Sequence, residues 1–350
     1  MIVAVGNQFQ EGVGGKVPFM TERDASRIGV SVVLPILNEE PYLVAAIEAI
    51  LKQDYAGPLE VVLAVGPSQD RTMEIAESLS RTYPEVKVLN NPTGKTAAGL
   101  NIAIASSQYP IIARIDGHAE IATSYITDAV AVMQETGAVN VGGLMAAVGK
   151  TPFERAVATA MRSPLGVGGA RFHVGGSAGP ADTVYLGTFN REGLLAIGGY
   201  DERFIRAQDW EMNYRLRQAG GIIWFDPRLE VIYRPRPSIR KLAKQYFEYG
   251  RWRHQVIRTH KGTANYRYLA PPIATIGIAL SLIGEFTLTP YLFIPAAIYF
   301  AAIGIGSMLI GKSISEKVIL PAVLATMHIS WGIGFLTSPR NLLSKSSGSK

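Results

Sequence analysis

The stretch "IGVSVVLPILNEEPYLVAAIEAILK", residues 28–52, carries two hydrophobic periods in succession. From Ile28 to Ile36 the chain is almost continuously apolar and rich in β-branched residues, which reads as a strand covered on both faces. After Leu37-Asn38-Glu39 the spacing changes, and Pro41–Lys52 sets its apolar residues at helical intervals. The alternation continues downstream. Leu59–Val65, Val86–Leu89 and Pro110–Ile115 have strand character, whereas Asp70–Tyr83 and Lys95–Ala105 have helical spacing. This pattern predicts an α/β fold: a Rossmann-like, mostly parallel sheet with helices on both faces. Ligands of such sheets bind beyond the carboxyl ends of the strands. The loops to inspect are therefore Leu37-Asn38-Glu39, Gly66-Pro67-Ser68 and Asp116-Gly117-His118, the last presenting a carboxylate and an imidazole two positions apart.

Further along, "TGKT" at 93–96 imitates the end of a phosphate-binding P-loop, but the position that needs the first glycine is Leu89, so an ATPase site is excluded. Lys95 still sits where Gly94 opens a helix, and helix starts favour anions. A helix is expected over Ser124–Thr136. Ser163–Pro180 holds six glycines and reads as a loop; its Arg171 and His173 either meet an anionic group or are simply solvated. Asp209 begins a helix in "AQDWEMNYRLRQAG", where it is either an N-cap or a functional carboxylate.

The 350 residues suffice for one large domain or two, and the absence of cysteine excludes disulfides, thiolate zinc sites and a cysteine nucleophile. No secretory signal opens the chain, and residues 1–27 read as a loosely packed leader. The net charge of +6 is unevenly placed. Residues 234–268 hold ten Lys/Arg and one acid, Glu248, whereas residues 1–233 hold 19 Lys/Arg and 25 Asp/Glu. Such a basic patch attracts the phosphates of nucleic acid or of a membrane surface. The chain beyond residue 268 decides between them. Leu269–Phe286 is apolar apart from Glu285, Pro290–Ile310 is uncharged, and Val318–Thr337 is uncharged with one histidine. Each is close to the length of about 20 residues that a helix needs to cross hydrocarbon. The domain plan is thus an α/β domain at 28–235, a basic amphipathic interfacial segment at 236–268, apolar spans at 269–287, 290–310 and 318–337, and a tail at 338–350. Within 238–260, apolar or aromatic residues at 239, 242, 243, 246, 249, 252, 256 and 257 suit a helix in the membrane interface. The basic collar places the soluble body on the cytoplasmic side of the cell membrane, with nucleic acid not a partner. Three crossings would put the C-terminus outside, against the charges of Arg340, Lys345 and Lys350, so a re-entrant third segment stays open.

Taken together, residues 28–260 resemble a family-2 glycosyltransferase with the GT-A fold, of the succinoglycan-type exopolysaccharide branch. The resemblance is carried by "SVVLPILNEE", "GKTAAGLN", "DGH", "AQDW" and "SPLGVGGARF…DTVYLGTFNREGL" followed by "QYFEYGRW". It implies that Pro35, Glu39, Lys95, Asn101, Asp116, Arg251 and Trp252 bind the nucleotide-sugar, and that Asp116 and His118 hold a divalent cation, Mn²⁺ or Mg²⁺. Asp116 is a hard oxygen ligand, and the softer His118 tilts the preference towards Mn²⁺. The resemblance also makes Asp209 the base of an inverting transfer and leaves Arg171, His173 and Gln245 as acceptor or phosphate contacts. The acceptor it implies is membrane-associated and polyprenyl-diphosphate-linked. Val65 and Gly66 stand where the family often has acidic residues that read the base, which leaves uracil or guanine open; the donor expected from the resemblance is a UDP-sugar, with a GDP-sugar as the alternative. Gln245 is six residues from Arg251, a loose match to the processive Gln-x-x-Arg-Trp motif, and no processive synthesis is inferred. Two rivals stand: a polyprenyl-phosphate sugar synthase, and a channel or transporter with a nucleotide-binding domain. The second is disfavoured because, apart from Glu285 at the end of the first span, His328 is the one Asp, Glu, Lys, Arg or His inside the spans.

Overall fold

A computed structural model describes residues 28–287 and 289–344; the expected leader at 1–27 and the end of the tail lie outside the described residues. Eleven strands are described: β1 (Val30–Ile36), β2 (Leu59–Val65), β3 (Val86–Asn90), β4 (Ile111–Arg114), β5 (Glu120–Ile121), β6 (Asn140–Gly143), β7 (Met145–Ala147), β8 (Gly179–Pro180), β9 (Tyr185–Asn190), β10 (Ile223–Phe225) and β11 (Val231–Tyr233). Eight of them form one sheet in the order β3-β2-β1-β4-β9-β6-β10-β8, and the other three a small sheet, β5-β11-β7. The first four strands are mutually parallel, as the alternation predicts. Beyond them the sheet is mixed, because β9 runs antiparallel to both β4 and β6.

The strand sequences explain the layering. In β1 the side chains of Val30, Val32, Leu34 and Ile36 pack with the helices Leu43–Leu51 and Tyr125–Thr136, while Val33 joins the opposite core with helices Thr96–Ser106 and Gln208–Gln218. Both faces are buried, so the run is apolar throughout rather than alternating. The strand order reverses at β1, with β2 on one side and β4 on the other. Pairing of β1 with β4 stops at Val33 and Arg114. Pro35, which cannot donate to a ladder, lies two residues further on. A crevice therefore opens past the carboxyl ends of β1 and β4, the topological switch point where doubly wound sheets bind ligands.

The glycine-rich stretch 163–180 is more ordered than its composition implies. It forms two single-turn helices, Pro164–Val167 and Arg171–Val174, and ends in β8. Pro164 supplies a favourable helix start and the Ser163 side chain caps it.

The C-terminal part departs from a simple row of spans. Among the described residues three helices are long and apolar enough to cross a membrane, at Tyr266–Gly284, Tyr291–Ile310 and Ile314–Leu336. The third lies alongside the basic helix Ile239–Thr259, and their contacts run in parallel along the two chains. Leu242 and Tyr246 pack with Leu324 and Met327, His254 Nδ1 meets the Phe335 carbonyl at 2.6 Å, and Arg258 donates to the carbonyls of Ser338 and Pro339. Glycines allow this approach: a Cβ on Gly250 would sit 2.1 Å from the Trp331 carbonyl oxygen, and one on Gly334 2.0 Å from that of Phe247. The apolar stripe expected to face lipid is thus largely used inside the protein, since Leu242, Tyr246, Trp252 and Val256 are buried.

Candidate active site

Three chain segments meet at the switch point. The chain leaves β4 through Arg114-Ile115-Asp116-Gly117-His118, the β1 exit carries Asn38-Glu39, and the helix Gln208–Gln218 brings Asp209 in its first turn. Arg114 ties them together. Its buried guanidinium donates from Nη1 to Asp209 Oδ1 and from Nη2 to Asp116 Oδ1, the latter at 3.2 Å. Burial opposes the charge of Arg114, but Asp209 and Asp116 outweigh it and keep the group protonated. Burial in turn pushes the Asp209 carboxyl above the usual carboxylate range, and Arg114 offsets part of that shift. Arg114 is the residue that sequence reading missed. A buried arginine before an Asp-Gly turn is a signal, but its partner Asp209 lies 95 positions away.

Asp209 is not a helix cap. The N-cap is Ala207, with no side-chain cap hydrogen bond and a left-handed backbone, φ +59°. For a residue with a Cβ that conformation costs about 1–2 kcal/mol, and such strain concentrates at functional sites. Its effect here is to start the helix so that Asp209 turns towards Arg114. Among the described residues Asp209 Oδ2 has no hydrogen-bond partner, so one oxygen is held and the other is open.

His118 Nδ1 lies 2.8 Å from Glu39 Oε1, and that hydrogen bond raises the imidazole above its usual pKa. Gly117 makes the pairing possible, because a Cβ there would meet Glu39 Cγ at 3.0 Å. Among the described residues no three His, Asp or Glu side chains cluster as a ready metal cage. Asp116 and His118 still make a suitable pair for a substrate-bridged ion. Glu39 orients the ring through Nδ1 and leaves Nε2 for a metal, and Mg²⁺ or Mn²⁺ sites of this kind complete their shell with substrate phosphates and water.

Next to Asp116 stands a group of tyrosines. Burial raises the Tyr185 pKa well above the usual value, and the charge of Asp116 adds to it. Tyr185 packs edge-on to Tyr233, and Gln245 Nε2 donates to the hydroxyls of Tyr233 at 2.9 Å and Tyr249 at 2.8 Å. Gln245 is thereby tied to this tyrosine group. Two exposed cations that sequence reading did not select, Arg206 and Arg236, stand around it: both act on Tyr249, and Arg236 also acts on His118.

The other expected residues have partners of their own. Both N–H donors of Asn101 are taken by the Tyr200 carbonyl and Glu202, each at 2.9 Å, and its oxygen accepts from Tyr200 N. It clamps the Tyr200–Glu202 turn. Trp252 is buried against Phe204, Trp210 and Leu342, a packing role. Arg251 pairs with Glu248 at 3.0 Å on its own helix. Pro35 forms part of the β1 floor beneath Gly99, and Lys95 is the N-cap residue of the Thr96–Ser106 helix. Arg171 donates to the Pro180 carbonyl and His173 is half-buried with its Nδ1 covered, and both belong to the short helix Arg171–Val174. A cavity of about 500 Å³ lined by Gln108, Asn190 and Arg191 lies at the opposite end of β4 and takes no part in this site.

Comparison with known proteins places this geometry in context. Residues 31–195 match the family described as Glycosyl transferase family 2. The succinoglycan biosynthesis protein ExoA of Rhizobium meliloti (strain 1021) is 33% identical over 314 residues, covering 87% of this chain and 93% of that protein. The dolichyl N-acetyl-alpha-D-glucosaminyl phosphate 3-beta-D-2,3-diacetamido-2,3-dideoxy-beta-D-glucuronosyltransferase of Methanococcus voltae is 25% identical over 251 residues, 69% of this chain and 77% of its own. Among solved structures, the mannosyltransferase PcManGT from Pyrobaculum calidifontis in complex with GDP-Man and Mn²⁺ shares the fold, with a TM-score of 0.55 at 19% identity over 89% of this chain and 87% of that one.

Proposed function

The chain belongs to glycosyl transferase family 2, and from that premise we propose that it is an inverting, metal-assisted enzyme of polysaccharide biosynthesis that moves a sugar from a nucleotide-sugar to a lipid-diphosphate-linked glycan. The observation that carries the reading is the pair of carboxylates, Asp209 and Asp116, held by one buried arginine at the switch point of the sheet. The succinoglycan relative supports the biosynthetic setting, and the Pyrobaculum fold relative was solved with the class of ligands proposed here.

In the transfer, Asp209 Oδ2 accepts the proton of an acceptor hydroxyl as that oxygen bonds to the anomeric carbon. The bond from that carbon to the diphosphate breaks, and its electron pair leaves with the nucleoside diphosphate. Arg114 fixes the base through Oδ1, so the free oxygen faces the acceptor. A base of this kind contributes roughly 10²–10⁴ in rate. Asp116 and His118 would hold the divalent ion, which neutralises charge on the departing diphosphate. Arg206 and Arg236 add positive charge at the mouth of the same site. A UDP-sugar is the favoured donor and a GDP-sugar the alternative. The acceptor reading is tested by offering purified protein a lipid-diphosphate-sugar and a lipid phosphate together. Labelled sugar is expected on the first; label on the second would make the enzyme a polyprenyl-phosphate sugar synthase.

The packing of the apolar helices supports a revised topology. Glu316, at the start of the third helix, accepts from Thr159 of the catalytic domain; His328 Nε2 lies 2.9 Å from the Leu165 carbonyl; and Leu342, just past the helix end, packs on Phe204 and Trp252. A helix that touches the catalytic body at both ends and at its middle does not place those ends on opposite sides of about 30 Å of hydrocarbon. We propose that the helices Tyr266–Thr287 and Ile294–Ile310 enter the cell membrane as a hairpin, and that the third lies along the basic helix at the cytoplasmic surface. The charges of Arg340, Lys345 and Lys350 then fall on the positive-inside side. Reporter fusions after Thr289, Ser313 and Ser344 are expected to read outside, inside and inside. An outside reading after Ser344 would restore three crossings.

A further inference from the structure

Away from the Asp116–Asp209 crevice, two arginines share one aromatic ring. Arg253 Cζ lies 4.1 Å from the Tyr268 ring centroid and 4.6 Å from that of Trp210. Arg267 Cζ lies 4.9 Å from the same Tyr268 ring and donates from Nη2 to its hydroxyl at 2.7 Å. The contacts fix both guanidinium groups in place by cation–π attraction, and among the described residues neither forms a salt bridge. Nε and Nη1 of Arg253 are buried with no hydrogen-bond partner. Burial, reinforced by the charge of Arg267, lowers the pKa of Arg253, so this charge is kept in an unfavourable place. The charge of Asp182 offsets this only in part, and the pKa stays lowered. Asp182 is exposed and paired with Arg217 at 3.4 Å, and Glu211 is engaged by Arg215 and His260.

Two further features shape the same place. His173 Nδ1 is buried without a partner, and burial together with Arg267 pushes the imidazole pKa down to about 3, so the ring is neutral. Gly168, with φ +68°, lets the backbone come close, since a Cβ there would touch Arg267 Cγ and Cδ at 3.0 Å. Buried N–H groups without partners destabilise the fold, more so when charged, and an anion would satisfy them.

We propose that Arg253 and Arg267, set on the Tyr268 ring beside His173, bind a phosphate or diphosphate group at a site separate from the donor's, and that this group belongs to the lipid-linked acceptor. The choice of an acceptor rests on the transfer reading above; the anion site rests on the side chains alone. Position supports the lipid. Arg267 and Tyr268 lie in the first turn of the apolar Tyr266–Gly284 stretch, where a hydrocarbon tail has a surface to follow. Trp210, the other ring under Arg253, belongs to the same helix turn as Asp209, which links the two sites through one element.

The test uses the full-length protein in phosphatidylcholine nanodiscs without any donor. One arm adds a long-chain isoprenoid diphosphate to the bilayer, a second adds phosphatidylglycerol as a general anionic lipid, and a third adds free inorganic diphosphate. The parent protein is expected to bind the isoprenoid diphosphate, with Arg253→Gln and Arg267→Gln each weakening it about ten- to a hundredfold, the range for lost charged hydrogen bonds. Arg253→Lys keeps the charge and is expected to recover part of the loss. In turnover assays KM for the lipid acceptor should rise while nucleotide binding stays unchanged, a separation that a merely unstable protein would not show. Binding of free diphosphate that is lost in the same variants supports the site and assigns it to a soluble anion. Equal binding by parent and variants in every arm overturns the proposal. Retained binding of nucleotide with Mn²⁺ in that case would leave the transferase reading intact, whereas its loss from the parent would count against that reading instead.

Discussion

Replacing Asp209 with Asn is expected to lower turnover by at least about a hundredfold while leaving the fold and donor binding nearly intact. Asn is close to Asp in shape and retains a carbonyl oxygen for Arg114, but it does not accept a proton at neutral pH. The helix start should tolerate the change, since its N-cap is Ala207 and no cap bond involves Asp209. The lost carboxylate in the first turn removes only about 0.3–1 kcal/mol of dipole interaction, and Arg114 keeps Asp116 as an ionic partner. The expected signature is therefore a near-parental melting temperature, an unchanged Kd for nucleotide and a collapsed kcat. The pH profile gives a second handle. Asp209 faces Arg114, Asp116 and Tyr200, and burial sets its carboxyl above the ordinary range. Acting as a base, it is needed ionised, so activity should fall as pH drops through a value higher than that of a typical Asp. Turnover by Asp209→Asn within a few-fold of the parent would remove the base from Asp209 and direct attention to Asp201 and Glu211. Glu211 is the weaker of these, since it is buried and bonded to Arg215 through both oxygens.

Asp116→Ala should have a comparably large effect on binding rather than on chemistry. It removes the oxygen ligand at the end of β4 and leaves Arg114 with Asp209 alone. Metal-dependent affinity for nucleotide should vanish. His118→Asp should keep that affinity and move the preference from Mn²⁺ towards Mg²⁺, because an oxygen replaces the softer imidazole nitrogen. Calorimetry with each metal and with EDTA reads both outcomes. Undiminished, EDTA-insensitive nucleotide affinity in Asp116→Ala would show that Asp116 holds no ion there.

Much of the first half of the fold is legible in the sequence because its signals are local. β1, β2 and the helix Leu43–Leu51 are set by runs and spacing within a few residues, and the carboxyl ends of those strands locate the crevice. Features that depend on distant partners were not legible. Arg114 looks like a strand residue until Asp209 is placed against it, 95 positions on. Asn101 looks like a nucleotide contact, yet the turn at Tyr200 takes its amide. The antiparallel β9 comes after a glycine-rich segment whose period gives no sign of direction. The apolar stretch 318–337 has the length and composition of a span, and hydropathy does not register that Gly250 and Gly334 allow it to lie against a basic helix.

Inverting sugar transfer by Asp209 from a nucleotide-sugar leaves its mark on the configuration of the product, and that configuration is the decisive observable. Purified full-length protein is incubated with Mn²⁺, a panel of α-linked UDP- and GDP-sugars and a lipid-diphosphate-sugar acceptor. Nucleoside diphosphate release identifies the donor, and the anomeric proton coupling of the new linkage is read by NMR. Release from one donor, a β-linked product, and loss of both signals in Asp209→Asn are expected. An α-linked product, or transfer that survives in Asp209→Asn, would overturn inversion with Asp209 as the base.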